Sequence, residues 1–100
     1  MLTAKDFEKI NFWEDTTPEE NITVYGMDFA EAYIFITDAN GTTPADPQKP
    51  LIIAAYDESG SFLWFNELPD FAALQALCQG KEPASDELLE AIRTYVKPKE

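Results

Sequence analysis

The chain has no histidine, one cysteine, one arginine and four glycines in 100 residues. Each scarcity removes a class of function. Without histidine the commonest general base near neutral pH is missing, and so is the commonest metal ligand. Ser59, Ser61 and Ser85 therefore have no imidazole to activate them. A single cysteine, Cys78, excludes an internal disulfide and a thiolate zinc site. It falls on the apolar stripe of an expected helix, where a buried structural thiol is the plain reading. The glycines at 26, 41, 60 and 80 are spaced as turn and cap residues, and form no phosphate-cradling loop or dinucleotide fingerprint.

Basic residues are the next shortage. Between Glu14 and Asp70 stand twelve carboxylates and one base, Lys49, a net charge of -11 out of the chain's formal -12. From Phe71 onward five acids meet Lys81, Arg93, Lys97 and Lys99. Such a chain is not expected to bind DNA, RNA or an anionic membrane directly, because those ligands require Lys and Arg to neutralise phosphate. Long hydrophobic runs are absent too: nothing approaches the roughly 20 apolar residues that cross a bilayer. The start, Met1-Leu2-Thr3-Ala4-Lys5-Asp6, lacks the basic-then-apolar order of a signal peptide. With one cysteine, the expected compartment is a reducing cytoplasm.

What the chain does have is large apolar side chains. The apolar fraction is 45% and aromatics are 13%, enough for a real core and against disorder. The length suits one domain spanning residues 1–100.

Thr3 can cap a short helix, with Asp6 at its third position and Leu2 and Phe7 placed as a hydrophobic staple. Phe7 and Ile10 share a face that Phe12 and Trp13 extend, and the helix ends before Thr16-Thr17-Pro18. Ile22 to Tyr25 reads as a strand, with Gly26 to Phe29 a turn or bulge. Ala30 to Thr37 alternates as a second strand. Asp38 to Gly41 opens a turn, and Thr42 to Pro50, with three prolines, is a loop. Leu51 to Tyr56, a continuous apolar run, reads as a strand buried on both faces. Asp57 to Gly60 turns the chain into a strand over Ser61 to Phe65. Pro69 and Asp70 start a helix whose stripe is Phe71, Leu74, Leu77 and Cys78, stopped by Gly80. Ser85 caps a last helix with the stripe Leu88, Leu89, Ile92, Tyr95 and Val96. The expected fold is α+β: a short N-terminal helix, a four-stranded mostly antiparallel sheet, and two C-terminal helices packed on one face.

Both faces of that sheet are apolar in the sequence. Ile22, Val24, Ile34 and Ile36 are assigned to one face, and Tyr25, Tyr33 and Phe35 to the other. In the last strand Phe62 and Trp64 share one side, Leu63 and Phe65 the opposite one. Three short helices cover one face well. Either the first helix, with Phe7, Phe12 and Trp13, packs over the second face, or that face is left open as an interface rimmed by Glu31, Asp57 and Glu67.

Two calcium or hydrolase readings are weak. Asp38-Ala39-Asn40-Gly41 has its glycine too early for a calcium loop and no closing glutamate. Adjacent acid pairs do not set two carboxyls across a sugar, and so small a domain offers little cleft. No catalytic, metal-binding or cofactor-binding residue is assigned, and no enzymatic activity is expected.

The acidity has two readings, solubility or adaptation to salt, and a surface that meets a basic partner. On the second, the chain is a small acidic protein-binding module that docks on or inhibits a basic partner, including one that binds nucleic acid, by imitating phosphates with carboxylates. Small phage inhibitors of nucleases and nuclease immunity proteins are similar in composition only; no motif supports a family. The candidate contact residues are Glu14, Asp15, Glu19, Glu20, Glu31, Asp57 and Glu58, with Tyr33 and Trp64 as anchors. The alternative is an assembly domain that homodimerises through an aromatic sheet face. A third has the Pro-rich loop, Thr43 to Pro50, contacting a peptide or subunit.

Overall fold

The computed structural model describes residues 2–17 and 22–96. Its elements are α1 (Ala4–Glu8), β1 (Trp13–Thr17), β2 (Ile22–Asp28), β3 (Ala32–Asp38), β4 (Leu51–Asp57), β5 (Phe62–Leu68), α2 (Phe71–Cys78) and α3 (Asp86–Thr94). The fold is α+β, with five strands where the sequence suggested four. They form one sheet in the order β1-β2-β3-β4-β5, every neighbouring pair antiparallel.

The extra strand is β1. Trp13-Glu14-Asp15-Thr16-Thr17 shows no apolar alternation, so local pattern extends the preceding helix contact into it. Pairing decides otherwise: Trp13 lies opposite Gly26 and Thr17 opposite Ile22. Gly26 is therefore a mid-strand residue and not a turn. A Cβ there would fall 2.5 Å from both the Ile34 carbonyl oxygen and Trp13 Cη2. Only glycine lets the indole close on the β2 backbone.

Register also reassigns the faces. Tyr25 pairs with Ile36 and Met27 with Ile34, so both point into the core while Val24 points to the opposite side. Ile34, Ile36, Ile53 and Ala55 are completely buried on the inner face. In β5 the pairs Tyr56↔Phe62 and Ala55↔Trp64 leave Leu63 extra, a bulge beside Ala55 and Tyr56. That one-residue insertion puts Phe62 on the same side as Phe65 and turns Trp64 inward. It overturns the expected pairing of Phe62 with Trp64.

All three helices cover this inner face. The Thr3 amide donates to Asp6 Oδ2 at 2.8 Å, closing the capping box that starts α1. Phe7 then stacks on Tyr25 with centroids 3.9 Å apart and meets Phe71 edge-on at 5.0 Å. The first helix thus joins the same core as the last two, and does not cross to the second face. Asp70 caps α2 by accepting from the Ala73 amide at 2.9 Å, and Ser85 caps α3 by accepting from Leu88. Phe71, Leu74, Leu88 and Ile92 are buried. Helix α3 stops at Thr94, before Tyr95 and Val96, and Val96 is 82% exposed. The Asn66 side-chain amide, from β5, donates to the carbonyls of Ile92 and Tyr95, each at 2.9 Å. It satisfies the C-terminal end of α3 that those residues leave open.

The loop before β4 is bound into the fold. Pro44 is fully buried, the Thr43 hydroxyl donates to the Thr23 carbonyl at 2.6 Å, and the carbonyls of Ala45 and Pro47 accept from Leu2 and Phe71. These ties anchor the Pro-rich loop, Thr43 to Pro50, while residues 46–49 stay exposed.

Candidate functional site

The outer face of the sheet is lined, strand by strand, by Trp13 and Asp15, then Val24, Gly26 and Asp28, then Tyr33 and Phe35, then Ile52, Ala54 and Tyr56, then Phe62, Phe65 and Glu67. It is closed over at β2, where Val24 is buried, and open at β5, where Phe62 and Phe65 are exposed. Its large side chains form one connected string of rings. Trp13 meets Phe35 edge-on at 5.6 Å, and Phe35 meets Tyr33 at 5.2 Å and Tyr56 at 5.9 Å. Tyr33 and Tyr56, directly opposite in register, stack at 5.5 Å. Tyr56 reaches Phe62 at 5.9 Å, and Phe62 reaches Phe65 at 6.4 Å. Six rings on four strands therefore cross the sheet from one edge to the other.

The rings are not sealed. Phe62 is 56% exposed and Phe65 67%, while Trp13, Tyr33, Phe35 and Tyr56 are half-buried by one another. Such cross-strand pairs stabilise a sheet, yet their upper surfaces still face solvent. A contiguous apolar patch of this kind on a small domain marks an interface. Among the described residues the buried Trp13 indole nitrogen has no hydrogen-bond partner.

Charge around the belt has one sign. The five strands contain six carboxylates and no Lys or Arg. At one end of the sheet the β2–β3 and β4–β5 turns lie side by side, and Glu31, Asp57, Glu58 and Ser59 line an open depression of about 270 Å³ there. The Tyr33 hydroxyl comes close to the same turn, 3.7 Å from where a Cβ on Gly60 would stand.

The acids have different duties. Asp57 accepts from the amides of Ser59 and Ser61, each at 2.9 Å, and from the Ser59 hydroxyl at 2.7 Å. The Ser59 hydroxyl and these amides hold its carboxyl below the usual range. It builds the turn, with Gly60 at positive φ. Asp38 does the same at the β3–β4 turn. Burial pulls its pKa upward, but the Thr42 hydroxyl and amide and the Asn40 amide win and lower it. The calcium-like string Asp38 to Gly41 is thus a self-contained turn. Among the described residues no group of three or more His, Cys, Asp or Glu is placed to hold a metal ion.

Of the residues singled out from sequence, Tyr33, Glu31 and Glu58 come together at the belt. Asp15 lies on the outer face of β1, opposite Val24, and its carboxylate accepts from the Thr16 amide at 2.9 Å. Glu14 lies on the inner side, opposite Tyr25; burial, then Glu14 and Asp6, push the Tyr25 hydroxyl's pKa up. Trp64 is half-buried against the core and is not part of the belt. Glu19 and Glu20 lie outside the described residues. Sequence reasoning placed Phe35 beside Tyr33 on the second face, and missed Trp13, Tyr56, Phe62, Phe65 and Asp28 as part of it. The signal for Tyr56 was present: Ile52, Ala54 and Tyr56 alternate with the buried Leu51, Ile53 and Ala55.

Among the described residues no helix is long and apolar enough to cross a membrane. Cys78 is half-buried, and burial pushes its thiol pKa up, away from the thiolate that nucleophilic work requires. Arg93 is held by Glu90 on the exposed side of α3. No protein-family model, no curated protein and no solved structure matches the chain.

Proposed function

We propose that this protein is an acidic docking module that binds and masks a basic protein surface through the open face of its sheet. The observation that carries this is the six-ring string set in strands whose only charges are negative. The two features do different work. Net charge of -12 steers a cationic surface toward the module from a distance, mainly raising the association rate. The rings then bury large area at low side-chain entropy cost and hold the complex. A partner that binds nucleic acid suits this pairing best, because its basic surface is built to meet phosphates and carboxylates can occupy the same sites.

A homodimer through the same face is the competing reading, favoured by the exposure of Phe62 and Phe65. It brings two carboxylate rims against each other, which like-charge repulsion opposes. A monomer is therefore expected in sedimentation at micromolar concentration.

Capture from a lysate of the native host tests the role. Immobilised wild type and a Tyr56→Lys variant are compared at low and high salt. A basic protein retained by wild type at low salt is expected, and lost both in high salt and with the variant. Retention that neither salt nor the variant alters would sink the proposal.

A further inference from the structure

The open face carries a preference finer than charge. We infer that it selects arginine over lysine, its occupant being an arginine-bearing segment of the partner laid across Tyr33, Phe35 and Tyr56. This rests on the docking role proposed above.

Three observations support it. Tyr33 and Tyr56 stack with an interplanar angle of 21° at 5.5 Å, and Phe35 closes against both. The two near-parallel tyrosine rings, with Phe35 tilted 66° and 57° against them, make a half-buried aromatic cluster whose outward parts a flat cation can stack on. A guanidinium is flat, weakly hydrated and stacks on such rings, whereas an ammonium is a compact, strongly hydrated point charge. Carboxylates then stand at the end of this platform. Asp28 lies directly across from Tyr33 in register, and Glu31 and Glu58 sit in the two adjacent turns. Among the described residues these three carboxylates make no hydrogen bond or ion pair, unlike Asp57, so they can accept the guanidinium fork. Lastly, no strand carries a Lys or Arg that could already occupy the rings. The two tyrosine hydroxyls add acceptors at the platform's own level. Charge alone would treat the two cations alike; the ring platform separates them.

The test uses two synthetic peptides of equal length and charge, one alternating alanine with arginine, the other alanine with lysine. Each is titrated into the isotope-labelled protein at low salt and followed by NMR. The arginine peptide is expected to bind about fivefold tighter, with shifts at Tyr33, Phe35 and Tyr56. The gap should close in the Tyr33→Leu/Tyr56→Leu double variant and persist in Tyr33→Phe, which keeps the ring. Circular dichroism checks that each variant folds, and the shift map on wild type needs no variant at all. Equal affinity for both peptides overturns the arginine preference and leaves the docking role standing. A gap that survives in the leucine variant also overturns it, by assigning selectivity to the carboxylates alone. Binding of neither peptide overturns both.

Discussion

At the residue scale the site depends on a few positions whose neighbours leave no choice. Gly26 is the sharpest. Any side chain there meets the Ile34 carbonyl and the Trp13 ring. Gly26→Val should cost about 1–3 kcal/mol through overpacking, and should shift Trp13 fluorescence as the indole is displaced. Urea unfolding with unchanged stability would show that the indole does not seat on Gly26. Asn66 is the second such position, since its amide holds the end of α3 through Ile92 and Tyr95. Asn66→Ala should cost about 1 kcal/mol, which for a domain of this size lowers the melting temperature by about 4–8 °C. The turn aspartates give a pH signature. Asp38 and Asp57 both hold folded pKa values below the ordinary carboxylate value. Their contribution is fully present above that ordinary value, about 4, and is lost as pH falls through the lowered ones. Stability should therefore be flat from neutral pH to about 5 and fall below about 4. In Asp57→Ala the acid slope should be shallower, and an identical slope would contradict the assignment.

At the element scale the two faces of one strand can be set against each other. In β4 Ile53 is completely buried, while in β5 Phe65 projects from the outer face at 67% exposure. Ile53→Ala should cost about 2–5 kcal/mol. Phe65→Ser should stay within about 0.5 kcal/mol of wild type. A large loss from the second would mean that something covers the face. The same elements show what the sequence could and could not disclose. The β4–β5 hairpin was legible because Asp57 to Gly60 carries turn chemistry between two apolar runs. The caps at Thr3, Asp70 and Ser85 were legible for the same local reason. Strand β1 was not, because Glu14 and Asp15 break any alternation and only pairing with β2 makes it a strand. Nor was the bulge at Leu63, which arises from register between strands and reverses the assignment of Phe62 and Trp64. Half of the candidate site was therefore readable, Tyr33 and Phe35 with Glu31 and Glu58. The other half, Trp13, Tyr56 and Phe62, needed the register to become one surface.

At the scale of the whole molecule the fold separates two functions of apolar area. One face of the sheet, covered by three short helices, supplies stability. The other is left to its own aromatic pairs, within a field that is negative everywhere along the strands. Both properties bear on association, and salt distinguishes them. Raising ionic strength should reduce the association rate for a cationic ligand several-fold while changing the dissociation rate little, because screening acts on steering and not on buried rings. An association rate independent of salt would remove the electrostatic half of the account.

The most direct measurement is a chemical-shift map of the labelled protein with a cationic peptide, recorded at low salt. Shifts are expected to cluster on Trp13, Asp28, Tyr33, Phe35, Tyr56 and Phe62, leaving α2 and α3 unperturbed. Shifts centred on the helical side, or none, would contradict the claim that the open aromatic face is the docking surface.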